Sequence, residues 1–354
     1  MIDMSAVLAS LDPKTRKRVQ MASEVKVEKQ LTPSVGLNLA LKGGLAYGRQ
    51  HLIWGNKSAG KTSFCLQLIA LAQKDGKTCA WVDCEQTFDP EWAKRLGVDI
   101  ESLIIVPEIA VNKVTNTCVE LMQAGIDVLV VDSISTILSS AYYDDNELKD
   151  FEKTGQIGSS AKDLGKMSNM LLGVNEKTLL ILISQQTTFI SPTYTKMEHM
   201  GGNKIKHNSS SVIKLFATES ATEAIKEKIA VGDSLIETMV GRPVVWNVQY
   251  NKTAAMGPVG KYNFFFEGDH RLGVSRESEL VKIGVLYSLI KRSGAWYSLG
   301  EATMQGESKV EDFLRNNPDA AAELERKLYD IIDGSTTERF GDVTDADIEA
   351  LAID

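Results

Sequence analysis

Four stretches of the chain are apolar almost without a break: "TCAWVDC", "SLIIVPE", "DVLVVDS" and "TLLILIS", at residues 78–84, 102–108, 127–133 and 178–184. Runs of that length are what a parallel strand buried on both faces requires. Between them lie amphipathic segments of helical length, so strands and helices alternate from Leu31 to Phe266. That alternation predicts an α/β layer structure with a mainly parallel sheet. Later strands, "SSVIKLFAT", "RPVVWNVQYNK" and "KYNFFFEGD", come with little helix between them and predict an antiparallel extension. From about Val274 to Ile332 a smaller helix-rich unit follows. At the other end, a helix and the alternating piece "SEVKVEK" precede the core. The expected division is an N-terminal oligomerisation arm at 1–30, a core at 31–273, a small C-terminal α/β domain at 274–332 and an acidic tail at 333–354.

Charge changes this picture only locally. The 354 residues carry a formal net charge of −8, which argues against a nucleic-acid partner if it is spread evenly. It is not: Asp333, Glu338, Asp342, Asp345, Asp347, Glu349 and Asp354 stand in the tail against a single Arg339, leaving the rest nearer balance. Four cysteines without a C-x-x-C pair suggest neither a disulfide framework nor a zinc site. The first twenty residues lack the order of a secretory signal, and no apolar run has membrane-spanning length, so a cytoplasmic protein without a membrane partner is expected.

Candidate chemistry begins at "HLIWGNKSAGKTSF", residues 51–64. Gly55, four residues, then Gly60-Lys61-Thr62 is the full phosphate-loop pattern, set between a strand end and an amphipathic helix. Small residues let successive backbone N–H groups curl around phosphate oxygens, and the helix N-terminus favours negative charge. Gly55, Asn56, Lys57, Ser58, Ala59, Gly60, Lys61, Thr62 and Ser63 are therefore the candidate nucleotide-binding run. Lys61 is placed to reach the β- and γ-phosphates, and the Thr62 hydroxyl to ligate Mg²⁺. Asp132 ends a buried strand, where a carboxylate either caps the next helix or holds the metal through water; the phosphate loop favours the second. Glu85, after another strand, could orient an attacking water as general base, and Gln185 could sense the γ-phosphate.

Over nearly its whole length the chain resembles a bacterial RecA-type recombinase. The resemblance rests on "GLNLALKGGLAYGR", "GNKSAGKT", "GKTCAWVDCEQTFDPEWAKRLGVDI", "VLVVDSISTI", "ILISQQ", "GGNKIKH", "NKTAA" and "LIKRSGAWYS". It implies a RecA-like P-loop ATPase core and a DNA-dependent ATPase that forms helical filaments on single-stranded DNA, pairs it with homologous duplex and exchanges strands. ATP and Mg²⁺ are the implied cofactors, and single-stranded DNA, duplex DNA and further copies of the chain the implied partners. By the same resemblance Glu85, Lys61, Gln185 and Lys252 are catalytic, and Asp89 and Trp92 lie against adenine. Two DNA loops are implied, at 150–162 and 186–203. In them Ile157, Ile190 and Tyr194 stand where apolar wedges separate bases, while Lys162, Lys204 and Lys206, with the backbone at Gly201, Gly202 and Asn203, contact phosphates.

Departures from the family pattern cluster at subunit contacts. Asn56 and Lys57 replace a usual proline and glutamate, Tyr250 replaces one of two interface lysines and leaves Lys252, and His207 stands where a phenylalanine is usual. Two other readings compete: a helicase-like motor on the same core, which need not keep "GAWYS", and a non-catalytic filament or regulatory partner, against which Glu85, Lys61 and Asp132 argue.

Overall fold

One twisted sheet organises the molecule, and four strands of its parallel part are the apolar runs noted above. A computed structural model describes residues 4–16, 19, 21–144, 147–148, 159–190, 195–217, 223–231, 234–268 and 272–332. From the parallel edge inward, the strands are Leu103–Val106, Cys79–Asp83, Val128–Asp132, Leu179–Ile190, Gln50–Gly55 and Ser211–Ala217. These six run parallel. The sheet then turns antiparallel through Ser234–Asn251, Val259–Phe265 and Gly273–Val274; of the strands expected in this extension, Ser211–Ala217 instead runs parallel to Gln50–Gly55 and is antiparallel only to Ser234–Asn251, so it forms the junction between the two parts. Thr195–His199 and Ile225–Val231 pair outside this path, on Leu179–Ile190 and Ser234–Asn251.

Strand periodicity divides the core in two. Neighbouring side chains point to opposite faces, so Ile53 joins a cluster with Phe64, Trp81 and Tyr262, while Leu52 and Trp54 join Val131, Leu164 and Leu171 on the other side. Both faces are covered by helices, which is why the parallel strands can be apolar throughout.

Beyond the sheet, the helices Arg276–Leu286, Glu307–Asn316 and Pro318–Ile332 enclose a third cluster with the antiparallel strands Lys291–Ser293, Trp296–Leu299 and Ala302–Gln305. The helix Val35–Ala40 joins this unit to the rest. Its N-terminal amides at Val35 and Gly36 donate to the Glu279 carboxylate (3.0 and 3.2 Å), which also accepts from Ser34 Oγ at 2.8 Å. At the N-terminus the expected helix is two short ones, Met4–Ala9 and Pro13–Arg16. Asp12 separates them, its Oδ1 accepting from the N–H groups of Lys14 and Thr15. The "SEVKVEK" piece forms no strand before Lys29, and Val25 and Val27 stand exposed. Ile157, Tyr194 and the acidic tail at 333–354 lie outside the described residues.

Candidate functional site

The strand Gln50–Gly55 delivers the phosphate loop to the end of the sheet where the parallel strands finish. Gly55 has no room for a side chain, since a Cβ there would collide with the Leu215 carbonyl of the next strand. The loop passes through left-handed backbone at Ser58 (φ 62°) and Gly60 (φ 73°) into the helix Lys61–Lys74. No side chain caps that helix, so its first amides and its dipole remain for an anion. Asn56 does something the motif does not foretell. Its Nδ2 donates to the Ala217 carbonyl (2.7 Å) and its Oδ1 accepts from the Ala217 N–H (3.1 Å), which fastens the loop to Ser211–Ala217. Its backbone, rather than its side chain, is left for a phosphate. Lys57 and Ser58 are exposed and Ala59 is buried.

Lys61 folds back over the loop, Nζ donating to the carbonyls of Gly55 (3.2 Å) and Asn56 (2.9 Å). Burial pulls its pKa below the ordinary lysine value, against the pull of Asp132 and Glu85. Thr62 Oγ1 donates to Asp132 Oδ2 at 2.7 Å. Asp132 is itself buried, and desolvation pushes its carboxyl up to about 7; the Thr62 bond opposes this and the nearby Glu85 charge adds to it.

Glu85 is held between the ends of three parallel strands. Its Oε1 accepts from Ser133 Oγ (2.7 Å) and from Gln185 Nε2 (2.8 Å). The backbone N–H groups of Cys84 and Glu85 both donate to the Asp132 carbonyl. Gln185 is tied in turn: its N–H donates to Ser135 Oγ (2.8 Å) and its carbonyl accepts from the Met200 N–H (3.1 Å). Ser184 Oγ donates to the Met200 carbonyl at 2.8 Å. A continuous run of hydrogen bonds therefore leads from Glu85 through Gln185 to Met200.

Asp89 caps the helix Pro90–Arg95, accepting from the N–H groups of Glu91 and Trp92. The Trp92 indole N–H donates to Ser63 Oγ at 3.0 Å, which seats the ring beside the phosphate-loop helix. Lys252 is elsewhere. Ser211 is level with His51 and Asn251, whereas Leu215 is level with Gly55, four residues or roughly 13 Å further along the strand. Lys252 Nζ donates to the His207 carbonyl (3.3 Å) and lies near the Tyr250 ring. Within one chain it does not meet Glu85 or Lys61.

The second expected loop is largely strand. Leu179–Ile190 runs on through Gln186–Ile190, and Thr195–His199 returns antiparallel to it, with His199 level with Gln186. Its β-branched and aromatic residues outweigh the polar composition that reads as loop. The first loop also ends early: Lys162 stands in the opening turn of the helix Ser159–Val174, exposed. Gly201 (φ 116°) and Gly202 (φ 77°) turn the chain into the helix Asn203–Asn208. A Cβ on Gly202 would lie 3.1 Å from Ala161, and one on Gly165 would lie 3.3 Å from the Lys204 stem. Lys162, Gly201, Gly202, Asn203 and Lys204 thus form one face where two helices meet. Lys206, on the same short helix, has Glu198 Oε1 within 3.8 Å.

The hydroxyls of Ser133, Ser135 and Ser184 were legible only as the polar residues that follow apolar strands. Nothing in the sequence marks the Asn56 clamp, because its partner is backbone.

Among the described residues no helix is long and apolar enough to cross a membrane. The chain matches the RecA N-terminal domain over residues 13–245 and the RecA C-terminal domain over residues 278–333. Matches that cover the phosphate-loop sheet and the C-terminal unit together take in most of the sequence: the chain belongs to the RecA family, and it is an ATP-binding, DNA-dependent ATPase of recombination.

Proposed function

We propose that this chain hydrolyses ATP with Mg²⁺ inside a helical filament on single-stranded DNA, and that it uses the filament to pair that strand with homologous duplex. Residues 55–63 cradle the phosphates, Lys61 neutralises the β- and γ-phosphates, and Trp92 with Asp89 borders the adenine. The metal site is supported by its donors. The Thr62 hydroxyl and Asp132 carboxylate are hard oxygen ligands, and the burial that raises Asp132 is a penalty that a divalent charge reverses. Thr62 would hold the ion directly and Asp132 through water; when bound, Mg²⁺ neutralises phosphate charge.

Glu85 acts on water. Ser133 and Gln185 occupy its Oε1 and fix the carboxylate, leaving Oε2 to accept the proton of the attacking water. Gln185 has one side-chain amide and two claims on it: Glu85 as observed, or the γ-phosphate. Transfer from one to the other moves the residue to which Met200 is bonded, and so the base of the second DNA segment. Lys162, Lys204 and Lys206, with the Gly201–Asn203 backbone, contact phosphates, and Ile157, Ile190 and Tyr194 contact bases. Lys252, at the far end of the sheet from its own phosphate loop, serves the nucleotide of an adjacent copy. In the proposed division, residues 1–30 are the arm that assembles this filament, 31–273 the catalytic core, 274–332 a C-terminal domain and 333–354 a tail. The exposed Val25 and Val27 suit addition of a strand to the free edge at Leu103–Val106 of a neighbour, where Ile104 is exposed.

The observation that carries this reading is the double attachment of Gln185 to Glu85 and to Met200. Steady-state hydrolysis with and without single-stranded DNA tests it. Gln185→Ala is expected to keep ATP binding and lose most of the stimulation by DNA; stimulation equal to the parent's would overturn the link.

A further inference from the structure

The run of hydrogen bonds from Glu85 through Gln185 to Met200 leads toward the second of the proposed DNA segments. A separate run leads toward the first, and it starts at the same carboxylate. Ser133, whose Oγ donates to Glu85, opens a serine-rich turn, "SISTILSS", residues 133–140. Thr136 closes the turn on itself, its Oγ1 and N–H both donating to the Ser133 carbonyl (3.0 and 3.3 Å). Ser135 Oγ accepts from the Gln185 N–H at 2.8 Å, so the turn is bonded to Glu85 and to Gln185 alike. Buried Ile134 and Ile137 seat it in the core with Leu164. At its far end Ser139 Oγ, Ser140 Oγ and the Ser140 N–H all donate to one oxygen, Asp163 Oδ2, at 2.7, 2.7 and 2.9 Å.

Asp163 is 8% exposed. Burial pushes its carboxyl up, but the bonds from Ser140 and Ser139 and the Lys166 charge at 3.8 Å together bring it below the usual carboxylate value. It follows Lys162 in the helix Ser159–Val174, two residues after the Ala161 that faces Gly202. Stripping three donors from a buried carboxylate costs more than moving the turn as a body. A displacement at Ser133 or Ser135 is therefore passed on to Asp163 instead of being lost within the turn. We propose that Asp163 is a positioning residue for DNA: through the turn 133–140 it carries the state of Glu85 and Gln185 to the helix that presents Lys162. The inference rests on the DNA-dependent hydrolysis proposed above and adds to it a second link that does not pass through Met200.

Two substitutions separate this role from a structural one. Asp163→Asn keeps an oxygen that can accept from all three donors, and Asp163→Ala keeps none. The full chain is titrated with fluorescent single-stranded DNA in the presence of a non-hydrolysable ATP analogue and, separately, of ADP; the ratio of the two affinities measures the coupling between the sites. In Asp163→Ala that ratio should fall by about fivefold, within the ordinary scale of such couplings. The DNA concentration that half-stimulates hydrolysis should rise, while the KM for ATP and the rate without DNA stay at the parent's values. Asp163→Asn should stay near the parent in all four. Ser140→Ala, at an exposed position that keeps its N–H, should show a smaller loss in the same direction. An unchanged ratio in Asp163→Ala, or in Ser140→Ala should the first variant not fold, overturns the proposal. So do equal losses in the Asn and Ala variants, or a DNA-free rate that falls as far as the stimulated one. A parent whose hydrolysis ignores DNA would overturn the reading of the site itself, and this inference with it.

Discussion

The two ends of the Glu85-to-Met200 run are built differently. At the phosphate-loop end, the groups that matter are fixed by hydrogen-bonded neighbours: Asp132 by Thr62, Glu85 by Ser133 and Gln185, Asn56 by both polar atoms of Ala217. At the other end, the exposed Lys162 and Lys204 stand where two helices meet, and of the three lysines there only Lys206 has a carboxylate within reach among the described residues. Rigid, partly buried donors suit a reaction in which one proton and one phosphate must be placed within a hydrogen bond's tolerance. Exposed cations suit a polymer read through its backbone charge. Substitutions at the first end should therefore change rates, and those at the second should change salt dependence.

The sharpest test of that division is Glu85→Gln. Hydrolysis is expected to fall by about two to four orders of magnitude, the usual contribution of a general base, while ATP and DNA affinities stay near the parent's. Single-turnover hydrolysis and equilibrium titrations check both halves. Loss of DNA binding together with hydrolysis would show that the two ends are one unit, and the comparison would break.

A control is needed in which both ends move together, and Glu279 supplies it because it joins the C-terminal unit to the sheet without touching either end. Its carboxyl is fully buried, and desolvation pushes it up to about 7 against the bonds from Ser34, Gly36 and Val35. The unfolded group titrates near 4.5, so between about 4.5 and 7 the native state holds the extra proton. The stability it contributes is present in full below about 4.5 and is lost as pH rises through about 7, by roughly 3 kcal/mol. His51 has the opposite slope. Burial pushes it down to about 4, so its contribution grows as pH rises toward 6.5. The quantity to measure is thus the difference in urea midpoint between the parent and Glu279→Gln across that range. A difference that does not change with pH would remove Glu279 from the account.

How far the sequence reaches follows the same division. The apolar runs predict four of the six parallel strands, because burial on both faces leaves little freedom in composition. The phosphate-loop spacing, Asp132 at a strand end and Glu85 after one were legible for the same reason: each is tied to a strand terminus. Hydrogen bonds to backbone were not: the sequence marks Asn56 as a departure within the nucleotide-binding run, but nothing in it shows that the side chain is committed to Ala217. Nor was the hairpin of Leu179–Ile190 with Thr195–His199, whose polar residues and nearby glycines outweighed its β-branched ones. Lys252 is different: the resemblance assigns it to a subunit interface, and the register keeps it at the strand end away from its own chain's phosphate loop.

Asn56→Ala probes the part that was not legible. Both backbone groups of Ala217 lose their partner, which costs on the order of 1–2 kcal/mol and frees the loop. ATP affinity should fall by about tenfold with the salt dependence of DNA binding unchanged. Unaltered nucleotide affinity would mean that the loop is held well enough without the clamp.

The smallest effects are expected at the exposed end, and they separate three lysines. Lys162→Ala and Lys204→Ala each remove a cation from the face shared by their two helices, so each should shallow the slope of log affinity against log salt on single-stranded DNA by roughly 0.7. Affinity near physiological salt should fall only a few-fold, and ATP affinity should not move. Lys206 differs because Glu198 lies within 3.8 Å and competes with any phosphate for its charge. Lys206→Ala is therefore expected to change the slope less than either neighbour, and Glu198→Gln to steepen it by releasing Lys206 together with Lys196, the carboxylate's closer partner. Titrations at three or more salt concentrations for the four variants decide the matter: equal slopes for Lys204→Ala and Lys206→Ala would show that Glu198 does not hold the lysine back.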